Sequence, residues 1–184
     1  MKIQKAEIGG VKVLLYDGVP QSTFPPADWG YWKHMIPAGL EGKEGLEVLL
    51  LGVGAGTIAR LLLARYPEAK ITGVDNNSLV MDAATREFEM DKIKMELVFE
   101  DGFEYIKKND KKFDLIIVDM WNGFWFPFKV LTKEFVDNCM KRLNEGGQVY
   151  INAPNLDNLA QESLKGMNAY KDDIGRNVIY RWKR

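Results

Sequence analysis

One stretch, Glu47–Asp75, limits what this chain can fold into. Val48-Leu49-Leu50-Leu51 is a continuous apolar run, the pattern of a strand buried on both faces, and it stops at Gly52-Val53-Gly54-Ala55-Gly56. Three glycines in five residues allow backbone angles closed to other residues and leave no side chain between the main chain and a ligand. Thr57–Arg65 then predicts a helix, with Ile58, Leu61 and Leu62 on one face and Pro67 just past its end. Ile71-Thr72-Gly73-Val74 predicts a second strand. Asp75 stands at its carboxyl end, where a carboxylate can accept hydrogen bonds from both hydroxyls of a ribose. The stretch therefore reads as a nucleoside-cofactor turn, with a purely structural glycine turn as the rival. Thr57 stands where a dinucleotide fingerprint has its third glycine, so the cofactor's identity stays open.

Further strands follow at helix-length intervals. Ser78 is read as the cap of a helix running to about Met90, and Met95–Phe99 as a strand. Asp101 falls at that strand's carboxyl end, either accepting from an adenine amino group or capping a helix over Phe103–Lys108. Phe113–Val118 is the strongest apolar strand after the first, and Asp119 ends it. Thr132 is read as the cap of a helix over Lys133–Leu143 that Gly146-Gly147 terminates, and Gln148–Asn152 as a fifth core strand. Asn155–Lys165 reads as helix and Asn177–Lys183 as a last strand. Such alternation predicts an α/β fold with a doubly wound, mostly parallel sheet, whose ligand edge collects Gly52–Gly56, Asp75, Asp101 and Asp119.

Upstream of the glycine turn, Ile3–Ile8 and Val11–Tyr16 flank Gly9-Gly10 as a β-hairpin, and Asp17–Thr23 reads as a turn. The expected division is a hairpin extension over residues 1–24 and a single globular unit over 25–184. Gln21 is a turn-stabilising amide or a donor to a ribose. Trp29–Ile36 reads as helical and holds His34, the only histidine; without a second ligand it suits a structural or substrate-contacting role, and no metal site is expected. Residues 121–128 carry five aromatics, which form either a satellite core or the wall of a substrate pocket; their place after a central strand favours the pocket, with Trp121, Asn122, Trp125 and Phe126 as its contacts.

The 184 residues carry a net charge of −1, which gives no global attraction to nucleic acid or an anionic membrane, so a small-molecule partner is expected, with a homodimer allowed. Cys139 is the sole cysteine and reads as core packing, which suits a reducing cytoplasm. No charged-then-apolar leader opens the sequence and no apolar run reaches about 18 residues. The basic run Lys107, Lys108, Lys111 and Lys112 reads as a solvated helix end rather than a binding patch.

From about Leu14 to Ala153 the sequence resembles the spermidine synthase family, aminopropyltransferases that share the Rossmann-like fold of class I S-adenosylmethionine-dependent methyltransferases. The resemblance is carried by Leu15-Tyr16-Asp17-Gly18-Val19-Pro20-Gln21-Ser22, by Asp101-Gly102-Phe103-Glu104-Tyr105 and by Phe113-Asp114-Leu115-Ile116-Ile117-Val118-Asp119. It implies that Gln21 and Asp75 hold the ribose, Asp101 the adenine and Asp119 the reacting amine, with Gly52, Gly54, Ala55, Gly56, Asn76 and Gly102 completing the cofactor site. Three departures stand out. Ala55 replaces the Asp of the family's glycine turn, Asn122 replaces the second acid of its catalytic loop, and Trp32-Lys33-His34 aligns with its Tyr-His-Glu segment. The C-terminal part is also shorter than the family's.

The first expectation drawn from those departures is methyl transfer from intact S-adenosylmethionine. Loss of an acid at Ala55 removes a repulsion of about 4 kcal/mol between carboxylates at ~4 Å and an effective dielectric constant near 20. The cofactor's carboxylate would then face free amides at the helix N-terminus, with Asp119 orienting or deprotonating the acceptor. A capping role is the structural alternative for Asp119. The second expectation is a divergent aminopropyltransferase using decarboxylated S-adenosylmethionine, and the third a non-catalytic nucleoside-binding partner protein. A nicotinamide reductase fits less well, for want of the third glycine and of a Tyr-x-x-x-Lys pair.

Overall fold

A computed structural model describes residues 2–155, 164 and 166–184; apart from Asn155 and Leu164, the helix expected over Asn155–Lys165 lies outside the described residues. Two sheets organise the chain. Strands β1 (Ile3–Ile8), β2 (Val11–Tyr16) and β3 (Val19–Phe24) form an antiparallel sheet in that order. The expected hairpin is present but gains a third strand, because Asp17-Gly18, with φ of 47° and 84°, makes a tight two-residue turn instead of opening a longer loop. Pro20 hid β3 in the sequence. Here it sits near the start of an edge strand, beside a bulge at Leu14/Leu15, where its missing N–H is tolerated.

The second sheet has seven strands: β4 (Glu47–Leu51), β5 (Lys70–Asp75), β6 (Met95–Phe99), β7 (Phe113–Val118), β8 (Leu143–Pro154), β9 (Tyr170–Ile174) and β10 (Asn177–Lys183), in the order β6-β5-β4-β7-β8-β10-β9. Strands β4 to β8 pair in parallel, while β10 runs antiparallel between β8 and β9. This is the expected Rossmann-like α/β arrangement, doubly wound and mostly parallel. The strand order reverses at β4, so the glycine turn after β4 opens at a topological switch point, where such sheets hold ligands.

Alternation along β4 divides the core. Val48 and Leu50 pack with Leu115 and Ile117 on one face, and Leu49 and Leu51 with Ile116 and Val118 on the other; all eight are fully buried. Helices α1 (Thr57–Arg65) and α2 (Ser78–Phe88) cover the first face, and α3 (Gly102–Lys108) and α4 (Lys133–Lys141) the second. Cys139 is fully buried in α4. Among the described residues no helix is long and apolar enough to cross a membrane.

Four local expectations need correction. Asn77, not Ser78, caps α2 by accepting from the Val80 amide at 3.1 Å, and that helix ends at Phe88. Trp29–Ile36 holds only a short 3-10 turn, Trp32–Met35. Helix α4 stops at Lys141, and Gly146-Gly147 lie inside β8, where five steps from Leu143 to Gln148 match two from Phe113 to Leu115. That bulge, rather than a helix cap, uses the glycines. Strand β9 was not anticipated, since Tyr170–Ile174 is largely polar and gains its order by pairing with β10.

Gly52 is where β4 and β7 come together most tightly. A Cβ there would lie 2.3 Å from the Asp119 carbonyl oxygen, and its φ is 85°. Gly52→Ala is expected to cost about 2–4 kcal/mol of stability, from the left-handed backbone and the clash together. Gly146→Ala, with a φ of 74° but open space around it, should cost about 1 kcal/mol. Urea unfolding of the two variants checks the difference, and equal losses would refute the contact argument.

Candidate active site

The glycine turn is held from two sides. Val53 and Gly54 donate their amides to Asp75 Oδ2 at 2.9 and 3.2 Å, and Asp75 Oδ1 accepts from the Asn77 amide at 2.9 Å. From the N-terminal sheet, Ser22 Oγ accepts from the Ala55 amide at 2.8 Å, and the Gly56 amide donates to the Val53 carbonyl at 3.0 Å. Thr23 and Thr57 exchange two more bonds, of 2.7 and 3.0 Å. All four amides from Val53 to Gly56 therefore have protein acceptors, so the turn itself offers no free donors to an anion. Ala55 is itself fully buried, and neither it nor Gly56 lines the cavity above the turn.

That cavity has a volume of about 250 Å³, and Gln21, Gly52, Gly54, Asp75, Asn76, Asp101, Gly102 and Asp119 all line it. Gln21 Nε2 donates to the Pro20 carbonyl at 3.3 Å. Asp101 caps α3, its Oδ1 accepting from the Phe103 and Glu104 amides at 3.0 and 3.1 Å, while Oδ2 accepts from Asn76 Nδ2 at 3.2 Å. Capping and cavity lining are thus combined in one carboxylate. Asp75 likewise uses three of about four lone-pair positions and keeps capacity toward the cavity.

Asp119 lies on the other side of the turn, at the end of β7. Tyr31 donates its hydroxyl to both carboxylate oxygens, at 3.0 and 2.9 Å, and Asn152 Nδ2 donates to Oδ1 at 2.7 Å. Asn177 Nδ2 in turn donates to Asn152 Oδ1 at 2.8 Å, so three elements fix one carboxylate. Removal from water pushes the Asp119 carboxyl up to about 6, against the opposing pull of the Asn152 and Tyr31 bonds. Burial and then the Asp119 charge raise the Tyr31 hydroxyl well above its ordinary value, so it stays a donor. Sequence reasoning missed Tyr31, Ser22 and Asn152. An asparagine among the apolar residues of β8 was a visible signal for the last, since it is fully buried.

The aromatic run is split between its two readings. Trp121, Asn122 and Trp125 line the cavity, whereas Phe126 is buried against Trp121 at a ring distance of 4.9 Å and does not. Phe124 and Phe128 point outward. The main chains of Asn122 and Trp125 exchange two hydrogen bonds of 3.0 Å, a tight turn that separates wall residues from core residues. Lys33 and His34 are exposed and do not line the cavity; Trp32 does.

Comparison with known proteins bears directly on the chemistry. Residues 33–182 match the spermine/spermidine synthase domain family. A probable polyamine aminopropyl transferase of Bifidobacterium longum is 33% identical over 122 residues, covering 66% of this chain and 27% of that protein. A polyamine aminopropyltransferase of Clostridium perfringens is 36% identical over 107 residues, covering 55% of this chain and 38% of the relative. The chain thus spans well under half the length of these two relatives. Its fold superposes on a probable spermidine synthase from Corynebacterium glutamicum with a TM-score of 0.84 and 22% identity, over 98% of this chain and 76% of the other. These matches overturn the methyl-transfer expectation. The structure takes away part of its physical grounds too, since Ala55 is buried away from the cavity and Lys33 lies off it. The chain belongs to the spermine/spermidine synthase domain family.

Proposed function

We propose that this chain is an aminopropyltransferase that moves the propylamine arm of decarboxylated S-adenosylmethionine onto an acceptor amine. One observation carries the reading: three carboxylates, Asp75, Asp101 and Asp119, line the cavity, and no lysine, arginine or histidine does among the described residues. Such a cavity attracts a sulfonium and ammonium groups and opposes a ligand carboxylate. A like charge within about 8 Å costs about 2 kcal/mol at an effective dielectric constant near 20. The decarboxylated cofactor has no carboxylate to repel.

In this reading Asp75 and Gln21 hold the ribose, Asp101 with Asn76 meets the adenine, and the bare backbone at Gly52 and Gly54 lets the nucleoside approach. Residues 1–24 belong to the same working unit as 25–184, because Gln21 and Ser22 reach the cavity from the first sheet. The bound cofactor supplies an activated carbon next to a sulfonium. The amine nitrogen attacks that carbon, the C–S bond breaks with its electron pair going to sulfur, a C–N bond forms, and methylthioadenosine leaves. Asp119 orients the amine and takes its surplus proton, while Tyr31 and Asn152 keep both carboxylate oxygens aimed.

Asp119→Asn is expected to lower kcat by about 10²–10⁴-fold, with methylthioadenosine release as the assay. Because the carboxylate is the working form, the rate should rise as pH climbs through about 6. Tyr31→Phe removes a hydrogen bond that favours the charged form, so its limb should sit about one unit higher. Full activity in Asp119→Asn would sink the assignment.

A further inference from the structure

We infer that the acceptor is an amine with one cationic head and an apolar or aromatic body. This rests on the transfer reading above and concerns the Asp119 end of the same cavity. Among the described residues Asp119 is the one carboxylate at that end. Asp75 ends β5 and Asp101 follows β6, while Asp119 ends β7 across β4, so their backbone positions lie roughly 10 and 14 Å away at about 4.8 Å per strand. Those two acids serve the nucleoside end.

What surrounds Asp119 instead is rings. Tyr31 touches it directly and lies 5.2 Å, centroid to centroid, from Trp32. The loop after Asp119 brings Trp121 and Trp125 to the cavity wall, and its Gly123 backbone rests against Tyr16, close enough that a Cβ would come within 2.6 Å of the ring. The polar side chain that this loop adds to the wall is the uncharged amide of Asn122.

A single ammonium at Asp119 is neutralised, and the rings beside it add cation–π attraction of about 0.5–2 kcal/mol. A second ammonium held along the same wall would face aromatic rings and a neutral amide, with no carboxylate among the residues described on that wall to receive it. An aryl or alkyl body in that place gains ring contact instead. The geometry therefore selects against a diamine, and Asn122 is the position where one added charge would reverse the choice.

The test is methylthioadenosine release from decarboxylated S-adenosylmethionine, comparing 2-phenylethylamine with putrescine at pH 8. The wild-type chain should show a kcat/KM at least about tenfold higher with 2-phenylethylamine. Asn122→Asp, a near-isosteric change at an exposed loop position, should raise kcat/KM for putrescine by about tenfold and narrow or invert the ratio. Wild-type preference for putrescine, or a ratio that Asn122→Asp leaves unmoved, overturns the single-charge inference while the transfer reading stands. Release with neither amine overturns the transfer reading and this inference with it.

Discussion

The molecule depends on how the amides of Val53–Gly56 are satisfied. A strand-to-helix turn made of small residues would ordinarily be loose, with donors open to water. Here Asp75 takes two of the amides, Ser22 a third, and the turn closes on itself for the fourth. Each bond adds only about 1 kcal/mol net, but together they order a segment rich in backbone freedom before any ligand arrives. They also bring in the small N-terminal sheet. Through Ser22 and Thr23 it is bonded to the glycine turn and the start of α1, which ties β3 to both. Arg60 extends the frame by joining the Ala55 carbonyl, at 2.6 Å, to the Phe88 carbonyl at the end of α2.

Asp119 represents the opposite strategy, a charge held where charge is unwelcome. A carboxyl raised to about 6 sits some two units above its ordinary value, equivalent to about 3 kcal/mol against the ionised form at neutral pH. The sign follows from linkage: the folded chain binds the extra proton between roughly pH 4 and 6, so the stability associated with this group is present below that window and is lost as pH rises through it. Tyr31, Asn152 and Asn177 limit the loss without removing it. Retaining such a group in a cavity open to solvent is intelligible if the carboxylate does chemistry, and wasteful if it only caps a loop.

Much of the fold was legible in the sequence because its strongest signals are backbone signals. The apolar runs of β4 and β7, the three-glycine turn and the acidic strand ends fix the sheet's central strands and their ligand edge regardless of distant contacts. Short or polar elements were harder. Strand β3 was masked by Pro20, and β9 is ordered by its neighbour rather than by its own residues. At the site, Asp75, Asp101 and Asp119 could be placed because strand ends converge by topology. Tyr31 and Ser22 could not, since they arrive from segments whose position is set by tertiary packing. The choice of chemistry failed for a related reason. A substitution such as Ala55 can be seen in one dimension, but whether its side chain faces ligand or core cannot, and here it faces core.

The place of β10 has a kinetic consequence. It lies between β8 and β9, with Val178, Ile179 and Tyr180 buried, so a strand that follows both in the chain occupies an interior position, and among the described residues β9 pairs with it alone. On a ribosome, the half of the sheet built from β4, β5 and β6 can pair as it emerges, whereas the other border must wait, with β8 presenting an open apolar edge in the meantime. Until that seven-residue strand is made, the β8 edge has the unpaired backbone that favours aggregation.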